Sequence, residues 1–176
     1  VDDEELMLRF TRGDEAAFVE LHARYAGPLL GFLRRMLRDP ALAEDVLQTT
    51  FLHMVRARGR YEPGMGVRPW FFAIAANAAR DALRRRKVRG ERPMNEELDP
   101  SFEPALPDPA LAKALGEALG ALPAEQREAV LLHKLEGLSF DEIGRALGIT
   151  TGAAKLRAHR GYEKLRAALG DRGDAW

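Results

Sequence analysis

Cysteine is absent from the 176-residue chain, histidine occurs only four times, and aromatic residues make up only 7%. The first absence excludes a disulfide scaffold and any zinc site built on thiolates. His22, His53, His133 and His159 fall at no HExxH or comparable spacing, so no metal ligands are assigned. Long apolar runs are missing too. The longest, Trp70 to Ala76, has seven residues, where a membrane span needs roughly 20. The opening VDDEEL is acidic, unlike the basic start of a secretory signal. A cytoplasmic chain without membrane insertion is therefore expected. With no Gly-rich phosphate loop and no nucleophile motif, no enzyme activity, catalytic residue or cofactor is expected either.

Net charge is also lacking, with 27 Lys and Arg against 27 Asp and Glu, but the charges are unevenly spread. Residues 1 to 90 hold 16 basic and 12 acidic side chains, residues 91 to 110 hold one and six, and residues 111 to 176 hold ten and nine. An acidic middle thus hides basic stretches on either side, from Arg80 to Arg89 and from Arg145 to Arg166. These are candidate phosphate contacts. The middle, Val88 to Ala110, carries five of the ten prolines and reads as a flexible Pro-rich acidic linker. The expected organisation is a domain over 1–88, a linker over 89–110 and a domain over 111–176.

Every strong periodicity is helical, and an all-α fold of two small helical domains follows. Asp14 can cap a helix in which Phe18, Leu21, Tyr25, Leu29, Phe32 and Met36 share a face, with a kink expected at Pro28. Asp39-Pro40 is an N-cap with a first-turn proline, opening a helix to about Arg58. The glycines and prolines of YEPGMGVRP force a loop, and Pro69 restarts a helix whose last turns are basic. After the linker, Asp108-Pro109 and Pro123 start two helices, and Ser139 with Glu142 has capping-box spacing for a third. Gly148-Ile149-Thr150 is a tight turn before a long final helix to about Leu169.

Three constellations carry chemistry. In SFDEIGRALGITTGAAKLRAHRGYEKLRAAL, a capped helix, a Gly turn and a longer basic helix have helix-turn-helix spacing. Phe140, Ile143 and Leu147 can pack on Ile149, Ala154, Ala158 and Leu165, which leaves Thr151, Lys155, His159 and Arg160 outward and Arg157 flanking. The bland reading is a helical hairpin with a solvated basic face. Secondly, Asn77, Arg80, Asp81 and Arg84 lie three and four apart on one helix face. An amide beside guanidiniums suits a single strand with exposed base edges; the competing reading makes Trp70, Phe71 and Phe72 core and the arginines a helix-end complement. Thirdly, Glu44, Asp45 and Gln48 are polar points beside Val46, Leu47 and Phe51. Adjacent helical residues diverge by about 100° and do not share a ligand, so a partner-facing edge is favoured over metal or acid-base chemistry.

Taken together these blocks resemble the bacterial RNA polymerase sigma factors of the extracytoplasmic-function (ECF) type. AFVELHARYAGPLLGFLRRML, ALAEDVLQTTFLHMV and RPWFFAIAANAARDALRRR are similar to region 2 of that family, and ALPAEQREAVLLHKLEGLSFDEIGRALGITTGAAKLRAHRGYEKLR to region 4. The resemblance implies a factor that binds core RNA polymerase and directs it to promoter DNA. Glu44, Asp45, Leu47, Gln48 and Phe51 would face the polymerase. Asn77, Arg80 and Arg84 would contact the melted minus-10 strand, and the loop Glu62 to Val67, with Met65, would capture a flipped base. Thr151, Lys155, Arg157, His159 and Arg160 would lie at the minus-35 element. Ala153, Leu156 and Ala158 depart from the commoner Thr, Ser and larger apolar residue. The resemblance further implies an anti-sigma factor as partner, a monomer when free, and a linker lying in the polymerase RNA channel. An acidic linker next to basic faces can also screen them until polymerase takes it up.

Other classes compete. A stand-alone helix-turn-helix regulator needs no polymerase, but has no use for the AED block followed by the aromatic-to-Asn-Arg helix. An adaptor that lost promoter reading and a metal-dependent hydrolase are weaker still; no spacing gathers three ligands for the latter.

Overall fold

The computed structural model describes residues 1–90 and 108–175. Among these residues there are helices and no strands. The first half holds α1 (Asp3–Thr11), α2 (Glu15–Leu37), α3 (Pro40–Ala57) and α4 (Val67–Arg89). The caps are those the sequence offers: the Asp14 carboxylate accepts from the Ala17 N–H and the Asp39 carboxylate from the Leu42 N–H, each satisfying a donor that the first helical turn leaves free. Leu21, Leu29, Phe32, Leu33 and Met36 of α2 are fully buried against Met54 of α3 and Phe72 of α4. Phe32 meets Phe72 edge-on at 5.6 Å, and Tyr25 meets Phe71 at 4.6 Å, geometries that suit the ring quadrupoles. The core reading of Trp70, Phe71 and Phe72 is therefore the correct one.

Helix α2 runs on through Pro28, which lies inside it. Two details differ from the sequence reading. Helix α4 begins at Val67, two residues before Pro69, because a proline fits anywhere in a first turn whose N–H groups have no helical acceptor. Helix α1 has no counterpart in the expectations, since the acidic start was read only as charge. Asp2 caps it, Asp3, Glu4 and Glu5 complement its N-terminal dipole, and Leu6, Met7 and Phe10 are buried beneath it.

The second half holds α5 (Pro109–Ala121), α6 (Ala124–Val130), α7 (Phe140–Leu147) and α8 (Thr151–Leu169). Asp108 caps α5, the start that Asp108-Pro109 offers in the sequence, so α5 takes in the last residues of the expected linker, Pro109 and Ala110, as α4 takes in its first, Arg89. Helix α6 runs on into a wider π-helical turn, Leu131–Leu135, closed by the Glu136 N–H on the Leu131 carbonyl. The remainder of the expected linker, 91–107, lies outside the described residues. The two halves share one continuous apolar core. Helix α4 packs against α7, and α2 packs against α5 and α6.

Candidate functional site

Three faces gather the residues singled out above. The first is on α3, where Glu44, Asp45 and Gln48 are exposed and Leu47 is half-buried. Arg34 of α2 donates to Glu44 at 3.2 Å. Phe51 is only 7% exposed; His22 lies on its ring at 4.2 Å and Phe18 meets it edge-on. His22 is thus the exposed member of the pair, and the Phe51 ring lies beneath it. Sequence reasoning missed Val19 and Leu52, which are 66% and 49% exposed next to this pair. Both fall off the apolar faces that the spacing assigns to their helices, and as exposed large apolar side chains they carry no polar or charged signal to single them out.

The second face is on α4. Asn77 and Arg84 are exposed on the outer side of the helix, Arg80 donates to the Asn77 amide oxygen, and Arg84 pairs with Asp81 at 2.8 Å. Met65, in the loop before α4, is 40% exposed, with its sulfur 3.2 Å from the Glu62 N–H. The bland explanation of Arg80 as a solvated helix-end charge does not hold. Its guanidinium lies 3.3 Å from the carboxylate of Glu128 on α6, which is 1% exposed. That contact is not aligned as a hydrogen bond: Arg80 Nε and Glu128 Oε1 both lack a hydrogen-bond partner among the described residues. Burial dominates over Arg80 and Arg157 and pushes the Glu128 carboxyl up to about 7.

Around this point the halves are joined by charged groups. Arg68 of α4 donates to Glu136 Oε2 at 2.6 Å and to the Glu136 carbonyl at 2.9 Å while lying over the Phe72 ring. The Glu136 carboxyl is also raised, by burial, against the opposing pull of Arg68 and Arg35. Arg38 donates across the halves to the Gly116 carbonyl, whereas Arg86 donates to the Leu37 carbonyl within the first half and Arg127 to the Gly120 carbonyl within the second, both at the negative end of a helix dipole. Desolvation, with Arg38 and Arg86 nearby, lowers Arg127 to about 10.

The third face is the α7–α8 pair. Ser139 and Glu142 cap reciprocally, Gly148 takes φ 68° at the end of α7, and the Thr150 hydroxyl accepts from the Ala153 N–H. Ile143, Leu147, Ala154, Ala158 and Leu165 are buried between the helices as the spacing implied. Thr151, Lys155, Leu156, His159 and Arg160 are exposed on α8. The Thr151 hydroxyl donates to Asp141 at 3.0 Å, and Arg157 sits 3.9 Å from Glu125, so those two are engaged within the fold. His133 stacks on Phe140 at 4.1 Å and lies 3.0 Å from the Tyr162 hydroxyl, which buttresses α7 against α8. No described helix is long and apolar enough to cross a membrane.

Comparison with known proteins completes the picture. Family models described as sigma-70 region 2 and sigma-70 region 4 match residues 21–89 and 112–165. The chain is 54% identical to the RNA polymerase sigma factor CarQ of Myxococcus xanthus, covering 94% of this chain and 96% of that one. It is 38% identical to the ECF RNA polymerase sigma factor SigF of Caulobacter vibrioides, covering 91% and 89%. Among solved structures it is similar to CnrH in complex with the cytosolic domain of CnrY, with TM-score 0.72, 27% identity and coverage of 95% and 96%.

Proposed function

Since the chain belongs to the ECF sigma factors of bacterial RNA polymerase, we propose that each of its three faces performs one step of promoter-directed initiation. The exposed α3 edge of Glu44, Asp45 and Gln48, half-buried Leu47 and the His22–Phe51 stack docks on core polymerase. Asn77, Arg80 and Arg84 hold the melted minus-10 strand, with the Met65 loop beside them. Lys155, His159 and Arg160, flanked by Thr151 and Arg157, enter the minus-35 major groove. The observation that carries the reading is the pairing of an amide and guanidinium face on α4 with a capped helix-turn-helix in α7–α8, in the family's order.

The energetics suit this division. Extruding a base costs a few kcal/mol, and a site that stacks and hydrogen-bonds it turns sequence into strand opening. Groove arginines and lysines supply phosphate affinity that falls with salt. We assign the chain no catalytic step and no cofactor, and place its action in the cytoplasm. A protein antagonist of the anti-sigma type is part of the proposal, and the solved complex of CnrH with the cytosolic domain of CnrY supports it.

The test is assembly on core polymerase followed by run-off transcription from genomic fragments. Specific transcripts that require this chain are expected. Specific duplex binding by the chain alone, with no assembly on core, would support the stand-alone regulator instead.

A further inference from the structure

Helix α1 ends before Ala17, where the blocks that resemble region 2 begin, yet it is built into the loop that precedes α4. Its first turn carries Asp3, Glu4 and Glu5 in succession, and successive helical side chains diverge by about 100°, so neighbours in sequence reach different elements. Asp3 accepts from the Tyr25 hydroxyl and, at 2.8 Å, from Arg24, both on α2. Glu4, half-buried, turns instead to the loop. One carboxylate oxygen accepts from the Tyr61 hydroxyl at 2.5 Å and the other from the Gly64 N–H at 3.4 Å. Further along α1, the Phe10 ring lies under the Arg58 guanidinium at 5.7 Å. The segment from Arg58 to Gly64 is thus tied to α1 at both of its ends.

The loop itself is built from permissive parts. Gly64 and Gly66 take φ 90° and 84°, where glycine alone moves freely, and Glu62, Pro63, Gly64 and Met65 are exposed. The Met65 N–H bonds the Glu62 carbonyl at 3.1 Å, and the Glu62 N–H meets the Met65 sulfur at 3.2 Å. Those contacts shape the turn but travel with it. Tyr61 is an anchor of another kind, because its ring is buried edge-on against Trp70 of α4 at 5.6 Å. The Glu4 carboxylate joins that anchor to the tip of the turn, and a carboxylate suits the task because its two oxygens accept from two donors at once.

We infer that Glu4 is a positioning residue for base capture: through the Tyr61 hydroxyl and the Gly64 N–H it holds the Met65 loop in the shape that receives an extruded base of the melted strand. A loop ordered beforehand loses no freedom when the base arrives, so more of the contact energy remains to hold the strand open. The inference rests on the strand-reading role proposed above for α4 and the Met65 loop.

The test uses the full chain assembled on core polymerase and a promoter found by run-off transcription. Tyr61→Phe removes the hydroxyl and leaves the ring in place; Glu4→Ala removes the carboxylate, and Glu4→Gln keeps one acceptor oxygen. Affinity is measured on fork-junction DNA whose minus-10 non-template strand is already single, with each base of that strand removed in turn to leave an abasic sugar. In the native holoenzyme one position is expected to lose about tenfold in affinity on base removal, the size of one stacked base. In Tyr61→Phe and Glu4→Ala that loss is expected to shrink severalfold, with partial recovery in Glu4→Gln, while assembly on core and the effect of base removal elsewhere stay as in the native chain. Weakening of intact and abasic strands alike would mark a merely structural contact and overturn the inference. An undiminished loss in both Tyr61→Phe and Glu4→Ala overturns it too, with the strand-reading role left standing. If base removal costs the native holoenzyme nothing at any position, base capture itself fails and the role of Glu4 falls with it.

Discussion

Asn77 and Asp45 are both exposed polar residues on helices of the same domain, yet the proposed function gives them different tasks, and substitution is expected to separate them. Asn77 lies beside Arg80 on the outer side of α4, so Asn77→Ala is expected to leave assembly on core polymerase intact. It should weaken promoter opening by about 1–3 kcal/mol, the size of one base-edge contact, read as open-complex lifetime. Asp45 carries part of the α3 edge and no described helix packs over it. Asp45→Arg should therefore abolish assembly itself, measured by co-migration with core. Equal loss of assembly in both variants would show that the two helices do not divide the work. The residue types at both positions were readable in the sequence, because 3.6-residue periodicity puts polar residues on one side. Phe51 was not, since periodicity alone does not tell a core-facing aromatic from one that a neighbouring histidine covers.

At the scale of the element, the helix-turn-helix is held by local devices whose removal has a calculable cost. Thr150→Ala deletes the hydroxyl that accepts from the Ala153 N–H, and loss of an N-cap costs about 1 kcal/mol. Thermal melting of the chain is expected to shift down by a few degrees, with minus-35 binding reduced. Gly144→Ala should be worse, because its added Cβ would lie 2.9 Å from the Ile149 carbonyl oxygen and would force the turn apart. Helix α1 offers a contrasting case. Met7 is fully buried, and Met7→Ala is expected to destabilise the first domain by about 2–5 kcal/mol, measured by denaturant unfolding. Nothing at the start of the sequence announces that cost, since a short helix shows too few turns for a periodicity. Its anchors, Asp3 with Tyr25 and Glu4 with Tyr61, join residues far apart in the chain.

The whole molecule adds a dependence on pH that no single element has. Glu128 is faced by Arg80 of α4, Arg157 of α8, and Glu125 and Arg127 of its own helix, and burial still raises it from 4.5 to about 7. Between those values the closed form holds a proton that a hydrated carboxylate has released. The resulting stabilisation of closure is thus fully present below about pH 4.5 and is lost as pH rises through about 7. Glu136, between Arg68 and Arg35, is shifted in the same direction. The closed fraction, read as the distance between spin labels at Arg60→Cys and Lys164→Cys, is expected to fall between about pH 4.5 and about pH 7 and to level off above that. Glu128→Gln should flatten much of that slope, because the amide has no proton to release.

What the sequence determined by itself was the set of parts: helices read from period and caps, the turn between α7 and α8, and the basic stretches either side of an acidic Pro-rich segment. These are local features, governed by backbone donors, side-chain spacing and φ preferences within a few residues. What only the tertiary structure decided was how the parts oppose one another. Glu128 and Glu136 look in sequence like ordinary surface carboxylates, as Arg68 and Arg80 look like solvated cations. Their meaning comes from burial, and burial is settled by which helices pack together. Removing a charge from water is costly wherever it happens, but the sequence does not say where it will happen.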